Sequence, residues 1–107
     1  MELNRKPLPQ EENLLELLVK KALISLPLNW KESLLVCSMN DGKMGSLYLF
    51  PNGIVNTERL LGEQVSEYQF IDADGIEVIA SLNLDDTGEL FELDIWKTDF
   101  SPLINFP

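Results

Sequence analysis

The chain contains no histidine, a single cysteine (Cys37), and only eight lysines and arginines against 18 aspartates and glutamates. Without histidine, a Cys/His zinc site and a histidine-based catalytic triad are both excluded, and a lone thiol cannot form a disulfide within the chain. The shortage of base leaves a net charge of −10. Such a chain repels the phosphate backbone that supplies most of the affinity in nucleic-acid binding, so no nucleic-acid partner is expected. Long apolar runs are missing too. The most apolar stretch, Leu14 to Leu28, is broken by Glu16, Lys20 and Lys21 and stops at Pro27, well short of a membrane span. The opening residues Met1 to Pro7 carry two cations but are not followed by a continuous apolar segment, so no secretory signal is expected. These absences point to a cytoplasmic protein with no membrane partner.

The apolar content is 45%, enough for a packed core, and 107 residues fit one domain spanning 1–107. Residues 11–26 have helical periodicity. Leu15, Leu18, Val19, Ala22 and Leu26 form an apolar stripe widened by Leu14 and Ile24, with Glu11 and Glu12 at the start and Lys20 and Lys21 toward the end. From residue 34 the period becomes strand-like. Strands are expected at Leu34–Asn40, Ser46–Phe50, Val65–Ile71, Ile76–Leu84 and Glu89–Trp96, separated by the turn-forming runs Asn40–Lys43, Pro51–Gly53, Asp72–Gly75 and Asp85–Gly88. The segment Ile54–Glu63 fits either a short edge strand with a loop or a short helical turn. The expected fold is α+β: an N-terminal helix packed on one face of a mainly antiparallel β-meander of about five strands.

Alternation sorts the two best strands by face. Ile76, Val78, Ala80, Leu82 and Leu84, with Phe91, Leu93 and Ile95, are expected to meet the helix. The opposite face then carries Glu77, Ile79, Ser81 and Asn83 beside Leu90, Glu92, Asp94 and Trp96. Apolar side chains and a tryptophan among carboxylates suit an interface centre with a charged rim. The alternative is that the tail after Asp99 folds back over Trp96.

The charge is unevenly placed. Residues 1–43 hold six acids and six bases, whereas residues 44–107 hold twelve acids and two bases, Arg59 and Lys97. The sheet-forming part therefore carries the whole net charge, a distribution that favours an oppositely charged partner or, more plainly, solubility. Asp72-x-Asp74-Gly75 and Asp85-Asp86-x-Gly88 invite a calcium reading, but both lack the ligand run of an EF-hand loop and read better as hairpin turns. Glu92 and Asp94 lie on one strand face with no cleft between them, which argues against paired-carboxylate catalysis. Cys37, set among Leu35, Val36 and Met39, reads as a core thiol. No catalytic residue, cofactor or metal is expected. The candidate binding residues are Glu77, Ile79, Leu90, Glu92, Asp94 and Trp96 on the sheet, with Asp72, Asp74, Asp85 and Asp86 at the turns.

The carboxy-terminal run Leu90-Phe91-Glu92-Leu93-Asp94-Ile95-Trp96-Lys97-Thr98-Asp99-Phe100-Ser101-Pro102-Leu103 and the turn Asp41-Gly42-Lys43-Met44-Gly45-Ser46-Leu47 resemble a family of small bacterial proteins. Its members occur among the immunity proteins of contact-dependent growth inhibition and related polymorphic toxin systems. The resemblance covers residues 5–107. It implies a non-catalytic protein that binds a cognate toxin domain, nucleases being one class, and masks its active site; such a toxin is expected to present a basic surface. The same run could instead be a core and tail-packing signature, and the domain a small protein-binding adaptor or assembly module.

Overall fold

A computed structural model describes residues 4–56 and 58–107. The N-terminal reading of Met1 to Leu3, and Thr57 within the undecided segment, lie outside the described residues. In chain order the elements are helix α1 (Pro9–Ala22), a single helical turn α2 (Trp30–Ser33), β1 (Leu35–Ser38), β2 (Leu47–Phe50), β3 (Leu61–Ile71), β4 (Glu77–Asp85) and β5 (Leu90–Lys97). A 3-10 turn at Pro51–Gly53 follows β2 directly. The five strands form one antiparallel sheet with α1 packed against it, the expected α+β fold.

The strand order is β1-β2-β5-β4-β3. The sheet is therefore a hairpin, β1-β2, joined to a three-stranded meander, β3-β4-β5, and the last strand is inserted beside β2 rather than following one unbroken meander. The undecided stretch supplies the crossing: its described residues 54–56 and 58–60 lie in neither helix nor strand, and β3 begins at Leu61 on the far edge.

Helix α1 starts where Pro9 and the acids place it. Pro9 occupies the first turn, and the Glu11 carboxylate accepts the Leu8 backbone N–H at 2.8 Å. It ends four residues before the expected Leu26. Leu23 adopts the left-handed conformation (φ 56°) and its N–H donates to the Lys20 carbonyl, closing the helix at Ala22. Ile24, Leu26 and Trp30 then pack against the core from outside the helix. Leu14, Leu15 and Leu18 of α1 are buried with Val36, Leu47, Leu49, Val78, Ala80, Leu82, Leu93 and Ile95.

A bulge corrects the expected faces of β5. Asn83 registers with Glu92 but Leu84 registers with Leu90, so Phe91 is an extra residue. Leu90 therefore turns into the core, where only 2% of it is exposed, and Phe91 turns outward. Ile76 precedes β4 and is half-buried. Cys37 also departs from its expected place: Val36 takes the core position of β1, and the thiol is half-buried on the opposite face across from Tyr48.

Gly62 marks a second irregularity, where β3 leaves register between Leu61 and Gln64. A Cβ here would lie 2.2 Å from the Asp85 carbonyl oxygen, a backbone atom that cannot step aside. Gly62→Ala is expected to lower unfolding free energy by about 1–3 kcal/mol, measurable by urea denaturation. A neutral effect would show that the β3–β4 approach is looser than described.

Candidate functional site

The two lone bases of the sheet-forming half are both internal. Lys97 follows Leu93 and Ile95 in the core phase of β5, and none of its side chain is exposed. Its ammonium donates to Asp72 at 2.8 Å, to Asp74 at 2.7 Å and to the Pro102 carbonyl at 3.2 Å. Asp72 also accepts the backbone N–H groups of Ala73, Ile104 and Asn105. Burial opposes its ionisation, but Lys97 and these N–H groups outweigh burial and hold the carboxyl far below the usual aspartate range. The Lys97 pKa is raised: burial would lower it, and the two carboxylates overcome that.

Arg59 plays the matching part at the opposite end of the sheet. Its guanidinium donates to Asp85 at 2.8 Å and to the carbonyls of Leu49 and Leu90, and it lies 4.9 Å from the centre of the Phe91 ring. Asp85 accepts further bonds from the Thr87 hydroxyl and the backbone N–H groups of Thr87 and Glu89. Burial raises its pKa, but the Thr87 hydroxyl, the Glu89 N–H and Arg59 together lower it from 3.8 to about 2.

These contacts sort the sequence-derived candidates. Asp72 and Asp85 are each 4% exposed, and Leu90 lies in the core, so these three leave the candidate surface. Asp74 is partly exposed but committed to Lys97, and Asp86 stays exposed at the β4–β5 turn. Glu77, Ile79, Glu92, Asp94 and Trp96 do come together on the sheet face turned away from α1. The tail does not cover them. Leu103 and Phe106 pack against the core cluster, on the side of Ile95. Phe100 stands beside Trp96 at 6.1 Å between ring centres, and Trp96 remains 43% exposed.

The register lays out this outer face. One row runs Cys37, Tyr48, Glu92, Asn83 and Gln64; the next holds Asp94, Ser81 and Glu67; the third Trp96, Ile79 and Gln69; the last Glu77 and Ile71. Four acids stand in these rows and no base. Asn83, 6% exposed, donates to Asp94 at 2.8 Å and fixes its orientation. Glu92 is held above the usual glutamate range, first by partial burial and then by the charge of Asp94. Tyr48, 43% exposed, was missed in the sequence reading, as were the aromatic Phe91 and Phe50; with Asn56 and Arg59 these line a shallow groove at the edge of the same face. The alternation of Leu47-Tyr48-Leu49-Phe50 was the available signal for Tyr48.

Among the described residues no cluster of three or more Cys, Asp and Glu side chains is arranged to hold a metal ion, and no helix is long and apolar enough to cross a membrane. The structure thus defines a small α+β domain whose sheet is covered on one side and left open, acidic and aromatic, on the other. The chain belongs to the family described as Domain of unknown function (DUF6984), whose profile matches residues 4–107. No curated protein and no solved structure matches it.

Arg59→Met leaves Asp85 buried without its counterion and is expected to cost about 3–5 kcal/mol of stability, with part recovered in Arg59→Met/Asp85→Asn. Because the Asp85 pKa is depressed on folding, its contribution is complete above about pH 4 and fades as pH falls toward 2. Asp85→Asn should therefore flatten the acid limb of stability against pH; an unchanged limb would contradict the assignment.

Proposed function

We propose that this domain is a non-catalytic binding protein that uses its open sheet face to mask a basic surface on a partner protein. The observation that carries the reading is the composition of that face: Glu67, Glu77, Glu92 and Asp94 beside Tyr48 and Trp96, with no lysine or arginine at any outward strand position. An acidic field with no base at its outward strand positions speeds association with a basic surface, and half-exposed aromatic rings supply desolvated contact area at low entropic cost. The raised pKa of Glu92 supports the same reading, since a carboxylate crowded by Asp94 gains from an incoming cation.

The partner class comes from the resemblance of the β5-to-tail run to toxin-immunity proteins. On that reading the domain is a cytoplasmic immunity protein. Its acidic face occupies a basic substrate groove of a toxin domain, a groove of the kind a nuclease needs to hold a phosphodiester backbone. The structure adds a reason for the tail's place in the motif. Leu93, Ile95, Lys97 and Leu103 build the core and the clasp beneath it, so the run fixes the frame on which Glu92, Asp94 and Trp96 are displayed.

The test is a titration, at low and moderate salt, against a toxin domain encoded by a gene adjoining the one for this protein. The expected result is 1:1 binding with a Kd below about 1 μM, an association rate that falls as salt rises, and loss of toxicity. Glu92→Lys/Asp94→Lys should slow association by about tenfold or more, while Trp96→Ala should mainly speed dissociation. Tight binding indifferent to salt and to the charge reversal would remove the electrostatic mechanism. No binding at micromolar concentration, with both proteins folded, would overturn the immunity reading.

A further inference from the structure

The two edges of the sheet are treated differently. The β1 edge is closed by main chain: the Arg5 N–H donates to the Val36 carbonyl at 2.9 Å, and the Val36 N–H returns to the Arg5 carbonyl at 2.7 Å. Among the described residues the β3 edge has no such cover. Its hydrogen-bonding phase follows from the β3–β4 turn, where the Asp72 N–H donates to the Ile76 carbonyl at 2.9 Å. Counting back by twos, the backbone groups of Phe70, Tyr68 and Ser66 face β4, and those of Glu67, Gln69 and Ile71 face outward. The other side of β4 gives the same phase. Thr98 donates to the Glu77 carbonyl, which turns the main chain of Glu77, Ile79 and Ser81 toward β5 and that of Val78, Ala80 and Leu82 toward β3.

Glu67, Gln69 and Ile71 are all exposed, and among the described residues their main-chain N–H and carbonyl groups have no hydrogen-bond partner outside the sheet ladder. Edges of this kind are usually blunted by lysine, proline, a bulge or a covering segment. β3 contains neither lysine nor proline, and its register shifts are confined to Leu61–Ser66, leaving Ser66 to Ile71 regular.

We infer that this edge accepts an extended segment of a partner protein as a sixth strand, one with lysine or arginine on the outer face and apolar residues on the helix side. The inference rests on the protein-binding reading above and adds the element that carries the main-chain contact. Charge chooses the occupant. Outward side chains of an added strand would join a face that already holds Glu67, Glu77, Glu92 and Asp94, so basic residues fit and acidic ones do not. A second copy of this chain would lay an identical acidic face alongside, each chain bearing −10. On the helix side the added strand would meet the rim of Tyr68, which stacks on Phe70 at 6.2 Å and has Lys21 at 5.9 Å over its ring. There an apolar side chain extends the core, and a second cation would face Lys21.

The probe is the capped peptide Lys-Val-Lys-Val-Lys-Val-Lys, with its Glu-Val counterpart as control, titrated into the full 15N-labelled chain. The lysine peptide should produce saturable shifts and slowed exchange at the amides of Glu67, Gln69 and Ile71, and the glutamate peptide none. Gln69→Pro, which removes an outward N–H while keeping the β4 ladder, should weaken binding by about tenfold or more. Glu67→Lys, which keeps every backbone group, should shift the preference toward the glutamate peptide. Shifts centred elsewhere, equal response to both peptides, no saturable binding, or sedimentation showing a dimer joined through β3 would each overturn the inference. A toxin domain that binds wild type and Gln69→Pro equally would remove the edge and leave the face reading intact. A lysine peptide that binds while the toxin domain does not would instead remove the proposed function.

Discussion

A lysine with no exposed side chain ties together the turn between β3 and β4, the end of β5 and the carboxy-terminal tail. Lys97 neutralises Asp72, and Asp72 in turn gathers the N–H groups of Ile104 and Asn105, so the tail is drawn onto the core side of the sheet, beside Ile95. Removing one member of such a group leaves the others buried without partners, which makes the arrangement all-or-none. Its consequence for function is indirect. Because the rest of the tail is committed to the core side, only Phe100 stands against Trp96, and the ring stays partly exposed.

Arg59 does the same at the far end, where the chain crosses from the hairpin to the meander. By bonding Asp85 and the carbonyls of Leu49 and Leu90 it joins the β4–β5 hairpin to β2, the strand on the other side of β5. Seven of the twelve acids of the sheet-forming half thus fall into two groups. Asp72, Asp74 and Asp85 are counterions of the fold. Glu67, Glu77, Glu92 and Asp94 stand on the open face, none of them in a salt bridge among the described residues and only Glu92 within the field of Arg59 at the edge, and on the proposed function they are the groups a basic partner would meet.

Much of this was legible in the sequence where the signal is local. The helical stripe of Leu14, Leu15 and Leu18, the alternation of Val78, Ala80 and Leu82, and the Asp/Gly turns each report on neighbours a few residues away. What was hidden depends on distant partners. The roles of Asp72 and Asp85 are set by Lys97 and Arg59, 25 and 26 residues off. The bulge at Phe91 was invisible because Leu90 and Phe91 are both apolar, so a one-residue slip leaves the pattern plausible in either phase. The strand order likewise turns on where the chain crosses between β2 and β3, and the sequence between them has no periodicity. One signal was present and unused: only Arg59 and Lys97 interrupt the twelve acids after residue 43, and Lys97 falls in phase with Leu93 and Ile95.

The division of the acids into those held by the fold and those left outward is the central claim, and it can be measured in the free protein. A carbon-detected NMR titration of every aspartate and glutamate carboxyl would do so. The account predicts that Asp72 and Asp85 stay ionised to the bottom of the accessible range, Asp85 titrating at about 2, while Glu92 titrates above an ordinary glutamate. Ordinary titration of Asp72 and Asp85, or a depressed Glu92 revealing a cation already seated beside it, would contradict it.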